Sequence, residues 1–116
     1  MERKKRSWLI LGILIIFIIG TISGIEYLKE WVDGDIQALQ CIAEKSTLYV
    51  SKTCSHCANQ KLILGDGLKY FELVDCAEEV SRCLDEGIMA VPTWVIDDVK
   101  YPGVRSIEEL RELTGC

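Results

Sequence analysis

A three-layer α/β domain built on a four-stranded mixed sheet, carried behind one membrane-spanning helix, is the architecture this chain predicts. Three observations predict it. The stretch from Trp8 to Ile25 is 18 residues long and carries no charge, near the lower length for crossing a bilayer as a helix. Beyond it, short apolar runs alternate with amphipathic runs at helical spacing, and strands alternating with helices imply parallel neighbours. The last two strand candidates are separated only by Asp97-Asp98, a hairpin connection that adds an antiparallel edge.

The N-terminal segment divides into a basic tail over residues 1–7, with Arg3, Lys4, Lys5 and Arg6 against Glu2, an anchor over 8–25 and a juxtamembrane linker over 26–34. Gly12, Gly20 and Gly24 are tolerated in a membrane helix and unhelpful in a soluble one. A cleaved signal peptide is the competing reading. Against it, the apolar run is longer than a usual signal core, and Thr21-Ile22-Ser23-Gly24 is a weak substitute for a small-x-small cleavage site. Either reading exports the domain: the basic cluster stays in the cytoplasm and Glu26 onward lies on the extracytoplasmic side of a cell membrane. Trp31 is an interfacial anchor beside the bilayer.

Charge and cysteine content narrow the function classes. From residue 26 onward the chain holds 9 Lys and Arg against 17 Asp and Glu, a formal charge of −8. Phosphate backbones are bound by basic faces, so nucleic acid is not a partner; the acidity reads as solubility. Six cysteines in 116 residues, combined with export, point to an oxidising compartment.

The domain proper is expected over residues 35–116. Asp33-Gly34-Asp35 is a break with an N-cap, and Ile36, Leu39, Ile42 and Ala43 recur at helical spacing over Asp35 to Glu44. Thr47 to Ser51 is the first strand, and Ala58 to Leu64 a helix ending near Gly65-Asp66-Gly67. Tyr70 to Val74 is a strand, Ala77 to Glu86 a helix closed by Gly87, and Thr93 to Ile96 and Val99 to Tyr101 are the hairpin strands. Ser106 with Glu109 three residues later is a capping box for a last helix ending at Gly115. A core this small often needs staples.

Cys54-Ser55-His56-Cys57 stands between the first strand and its helix. Open α/β sheets place their sites at the carboxyl ends of strands. Two cysteines at this spacing can close a disulfide, and the helix dipole with its free N–H groups favours a thiolate at the first of them. Cys54 is therefore the nucleophile. Cys57, one turn further in and shielded, resolves a mixed disulfide. His56, the single histidine, lends a donor or positive charge to the Cys54 sulfur, which stabilises the reduced form and makes the disulfide more oxidising; the blander alternative is an exposed polar residue in the first helical turn. Gln60 and Lys61 read as solvated surface of the same helix, Trp94 as core, and Asp75 as a weak candidate base for Cys57. Pro92 opens a strand, where proline is allowed.

These residues carry a resemblance. Cys54-Ser55-His56-Cys57 followed by Asn59-Gln60-Lys61, Val74-Asp75-Cys76, Cys83 before Gly87-Ile88, Pro92-Thr93-Trp94, and Tyr101-Pro102-Gly103 to Glu108-Glu109-Leu110 together resemble the thioredoxin-like domain of bacterial and archaeal vitamin K epoxide reductase homologues. The resemblance runs from Leu48 to Gly115 and lacks the fused reductase part; Ser55 replaces a proline common in that motif. It implies a thioredoxin-like fold whose Val91-Pro92 bond is cis and faces the cysteine pair. Val91 would then expose its backbone to an extended substrate, and the turn would block metal from the thiols. It also implies a redox-active Cys54–Cys57 disulfide with no bound cofactor, protein thiols as substrates, and a quinone-linked integral membrane partner that reoxidises the pair.

Cys76 and Cys83 match a second cysteine pair of that family. Along one continuous helix they would lie about 10.5 Å apart, beyond disulfide reach, so pairing requires Cys76 on a strand end or turn. A staple is preferred to an electron relay. Since a thioredoxin-like arrangement puts the first and last helices on opposite sheet faces, a Cys41–Cys116 bridge needs the tail to wrap around; Cys116 is otherwise free or links two chains.

The leading reading is an exported, membrane-tethered thiol–disulfide oxidoreductase that oxidises or isomerises protein thiols. The same chemistry run in reverse, as a disulfide reductase, is the alternative. A zinc or purely structural module using Cys54, Cys57, Cys76 and Cys83 is the third; the spacing of the second pair does not suit a zinc knuckle, so no metal is expected.

Overall fold

The computed structural model describes residues 2–116, with the side chains of residues 30–33 outside the description; Trp31, read above as an interfacial anchor, and Asp33 fall among these. The elements in order are α1 (Glu2–Lys45), β1 (Ser46–Val50), α2 (Ser55–Leu64), a 3-10 segment (Gly65–Tyr70), β2 (Glu72–Asp75), α3 (Val80–Glu86), β3 (Thr93–Ile96), β4 (Val99–Pro102) and α4 (Ile107–Thr114). The chain divides into two compact units, Met1–Asp35 and Ile36–Cys116.

The first unit is helical. It contains a segment long and apolar enough to cross a membrane, and its large apolar side chains are exposed, Ile16 and Phe17 at 72% and 71%. Helical backbone continues through Asp33-Gly34-Asp35, correcting the expected break. One glycine inside a helix costs only about 1 kcal/mol, and propagation from turns already formed tolerates it.

The second unit is a four-stranded sheet in the order β2-β1-β3-β4. β1 pairs β2 in parallel, Thr47 opposite Glu72 through Val50 opposite Asp75. β1 pairs β3 antiparallel, Leu48 opposite Trp94 and Tyr49 opposite Thr93, and β4 completes the hairpin. Asp97 and Asp98 both take positive φ, 50° and 63°, the left-handed pair that a two-residue hairpin turn needs and that Asp tolerates.

The period-two alternation of strand side chains divides the core. Leu48, Val50, Trp94 and Ile96 point to one face, packed with Ile42 of α1, Cys57 and Leu64 of α2 and Leu110 of α4. Tyr49 and Val74 point to the other, with Cys83 of α3. Phe71 meets Trp94 edge to face, ring centroids 5.6 Å apart, the geometry aromatic quadrupoles prefer. Gly67 is buried, and a Cβ there would fall 2.6 Å from Leu39 Cδ1, so a larger residue would force the Leu39 side chain to shift.

The first and last helices of the domain share one face of the sheet, contrary to the expectation of opposite faces. The last turns of α1 and the end of α4 therefore meet, Lys45 Nζ donates to the Thr114 carbonyl at 3.0 Å, and Cys41 and Cys116 are disulfide-bonded with Cα atoms 6.0 Å apart. That bridge spans 75 residues and covers nearly the whole domain; in the loop-entropy picture a ring of this size contributes about 4 kcal/mol. Helix ends are also well determined. Ser106 and Glu109 form a reciprocal capping box, and Gly115 closes α4 in the left-handed region, as Gly87 closes α3. This mixed sheet flanked by helices is a thioredoxin-like fold behind a helix that can serve as an anchor.

Gln60 joins the layers. Its side chain is fully buried. Its Oε1 accepts from Trp94 Nε1 at 3.0 Å and from the Arg105 backbone N–H at 2.7 Å, and its Nε2 donates to the Arg105 carbonyl at 3.0 Å. One carboxamide thus satisfies α2, β3 and the chain entering α4. We expect Gln60→Leu, which keeps the volume but strands two buried donors, to lower the unfolding free energy by about 2–4 kcal/mol; urea unfolding of the oxidised protein measures it, and an unchanged midpoint would contradict this role.

Candidate functional site

β1 ends at Val50, and the chain turns through Lys52 and Thr53 before Cys54, which is the N-cap of α2 with extended backbone angles of −95° and 116°. Its sulfur takes the place a cap oxygen would occupy: Cys57 N–H donates to Cys54 Sγ at 3.1 Å. A backbone donor and the positive end of a helix both favour negative charge on this atom. The thiol also reaches the Val91 carbonyl at 3.5 Å, bringing together residues 37 apart in sequence. The Val91-Pro92 peptide is cis, and Pro92 is fully buried beside the start of β3.

The two sulfurs differ in surroundings. Cys54 is half-buried and Cys57 is buried, and both are free thiols. Burial pushes the Cys57 thiol up from its ordinary 9.0 to about 11; its contact with the Cys54 thiol adds to this, while a backbone contact from Ser51 and the Lys61 ammonium work against it. At neutral pH Cys57 therefore holds its proton.

Cys76 and Cys83 are disulfide-bonded, Cα atoms 5.7 Å apart. Helix α3 begins only at Val80, not at Ala77 as the sequence suggests. The Asp75 carboxylate accepts from Ala77 N–H, and the Asp75 carbonyl accepts from Glu78 and Glu79 N–H. This turn consumes the residues that would have opened the helix and folds Cys76 back over Cys83. Cys76 N–H meanwhile donates to the Val50 carbonyl at 2.8 Å, so this bridge lies at the same carboxyl end of the sheet as Cys54. With Asp75 committed to the turn, nothing in the geometry gives it the role of a base for Cys57.

The other candidate residues are placed as follows. His56 is exposed in the first turn of α2, and none of the described hydrogen bonds joins it to either sulfur. Trp94 is fully buried. Gln60, read from sequence as surface, is a core residue; Cys57, Gln60 and Leu64 form the buried stripe of α2, and their i, i+3, i+7 spacing is the signal that reveals it. Among the described residues no group of three or more His, Cys, Asp or Glu is arranged for a metal ion, and the disulfide removes Cys76 and Cys83 from any thiolate set with Cys54 and Cys57.

No family model matches the chain. It is 32% identical over 77 residues to thiol-disulfide oxidoreductase LTO1 of Arabidopsis thaliana, an alignment covering 59% of this chain and 20% of that protein. The chain thus spans about a fifth of the length of this curated relative.

The raised Cys57 value fixes a pH dependence. A thiol that ionises near 9.0 in the unfolded chain and near 11 in the fold contributes its full stability below pH 9, and that contribution is lost as pH rises through 11, because the unfolded chain releases its proton first. The reduced protein is therefore expected to lose stability between pH 9 and 11 more steeply than reduced Cys57→Ala, by denaturant midpoints measured across that range. Parallel curves for the two would contradict it.

Proposed function

We propose that this chain is a membrane-anchored thiol–disulfide oxidoreductase whose working couple is Cys54–Cys57, with its domain on the extracytoplasmic side. One observation carries the reading. Of six cysteines, four are locked in disulfides and the remaining two form an N-capped pair whose half-exposed member touches the Val91 carbonyl. The similarity to a protein named as a thiol-disulfide oxidoreductase and the apolar N-terminal helix support it.

In the direction we favour, a substrate thiolate attacks Cys54 Sγ of the disulfide. The Cys54–Cys57 bond breaks and Cys57 leaves with the electron pair, then takes a proton. A second substrate thiolate attacks the substrate sulfur of the mixed disulfide. The substrate departs oxidised, and Cys54 and Cys57 remain as thiols carrying its two electrons. The Val91 backbone beside Cys54 offers an extended substrate a pairing edge, with Pro92 fixing the turn. His56, exposed in the first turn of α2 between the two cysteines, would favour the reduced form as a charge partner. Reoxidation requires an electron acceptor beyond the Cys54–Cys57 pair. The resemblance to the thioredoxin-like domain of vitamin K epoxide reductase homologues makes a quinone-linked integral membrane enzyme the acceptor we propose, held in the same bilayer by the anchor.

Cells expressing Cys57→Ala are expected to accumulate mixed disulfides on Cys54, released by reductant and absent from a Cys54→Ala control. Capture no greater than in that control would sink exchange through Cys54. Direction is read from the reduction potential of the purified full chain in detergent. Oxidase function predicts a value well above that of cytosolic thioredoxin, about −270 mV; a value near that figure would instead support a membrane-tethered disulfide reductase.

A further inference from the structure

Cys57 must bear negative charge at one moment in every turnover. It is the leaving group when a thiol opens the disulfide and the attacking group when the disulfide closes. Yet its surroundings oppose that charge. It is 1% exposed in a core of Leu48, Val50, Trp94 and Leu64, and burial holds its proton. A thiolate expelled into such a place leaves slowly, since departure slows as the leaving thiol becomes more basic.

The groups that face Cys57 are few. From the preceding turn comes Cys54, whose own charge opposes a second one; from the end of β1 comes the Ser51 backbone; from α2 itself comes Lys61. No carboxylate acts on it among the described residues. Asp75 is engaged in its turn, Arg105 is engaged with Pro102 and Glu109, and the strand residues beneath are apolar. Lys61 follows Cys57 by four positions on one helix, so the two stand on the same side one turn apart. It is half-buried. Lys52, in the turn that follows β1, is tied to Glu78, whereas none of the described ion pairs occupies Lys61.

We propose that Lys61 is a positioning residue for disulfide exchange, its ammonium supporting the charge on Cys57 Sγ both when Cys57 is expelled from the Cys54–Cys57 disulfide and when it closes that disulfide again. The inference rests on the exchange reading above. In the closing step Cys57 gives its proton to solvent, its Sγ attacks Cys54 Sγ of a mixed disulfide, the Cys54–Cys57 bond forms, and the other thiol leaves as thiolate with the electron pair. Lys61 takes no proton and forms no bond; it lowers the cost of the charged sulfur in a site where few other groups do. A lysine at this position also serves both directions of exchange, so the inference does not depend on whether the chain is an oxidase or a reductase.

The test uses the full chain, reduced at the Cys54–Cys57 pair, in detergent, with a small aromatic disulfide whose thiolate is coloured. Cys54 releases one coloured thiolate on forming the mixed disulfide, and Cys57 releases a second on closing the pair, so the two steps separate in time. Lys61→Met and Lys61→Gln are each expected to slow the second release about three- to tenfold near neutral pH and move its pH midpoint upward. The first release stays unchanged, and Lys61→Arg restores the second. An unchanged second phase and pH profile in both neutral variants overturns the role of Lys61 alone, as does slowing that arginine fails to rescue. Absence of any second release in the unsubstituted protein overturns the exchange reading itself.

Discussion

The antiparallel register of β1 against β3 is the constraint on which the site depends. Leu48 opposite Trp94 and Tyr49 opposite Thr93 set the carboxyl end of β1 beside the beginning of β3. The chain leaving β1 reaches Cys54 within four residues, and the chain entering β3 has just passed Val91 and Pro92. The contact between the Cys54 thiol and the Val91 carbonyl is therefore a product of strand pairing, not of either loop alone. A slip of one residue would exchange the two faces of β3. Trp94 would leave the core it shares with Cys57, and its indole N–H would lose the Gln60 carboxamide.

Polar and covalent links then hold the layers to that register. Gln60 ties the site helix to β3 and to the approach of α4, in a place where apolar packing alone would leave the Arg105 backbone without partners. The Cys41–Cys116 bridge joins the end of α1 to the end of the domain, fastening helices that lie on the same face as α2. Cys76–Cys83 stiffens the turn after β2 on the other face. A domain with a core this small has limited apolar area to bury, and cross-links that restrict the unfolded chain act where packing cannot.

Local chemistry was legible in the sequence and long-range geometry was not. Asp97-Asp98, Gly87, Gly115 and the Ser106–Glu109 box each act through backbone conformation within a few residues, so composition alone locates the hairpin and three helix ends. The cysteine motif is legible for the same reason, since its spacing and its place between strand and helix are local. Gln60 was misread because a polar side chain usually faces water, and its partners lie 34 and 45 residues away. The Cys41–Cys116 pairing hinged on which sheet face two helices share, a tertiary property no local pattern encodes. The late start of α3 had a local cause, the Asp75 turn, but helix propensity at Ala77 to Glu79 pointed the other way. At Asp33-Gly34-Asp35 the break signals were outweighed by helix on both sides.

The division of six cysteines into two classes bears on how such a site avoids attacking itself. Cys76–Cys83 lies at the same sheet end as Cys54, so a permanently charged Cys57 would threaten it. Burial supplies the safeguard. With its ionisation pushed to about 11, Cys57 is a thiol at neutral pH, and thiols do not exchange. Cys83 is itself buried, which withholds one sulfur of the neighbouring bridge. In the proposed exchange, charge on Cys57 is then useful only in the brief interval when Cys54 is bonded to another sulfur. Burial suppresses the reaction in the resting dithiol, and in the proposed mixed disulfide the contact with the Cys54 thiol, which adds to the effect of burial, is gone. The order of events thus follows from where the two sulfurs sit relative to the N-terminus of one helix.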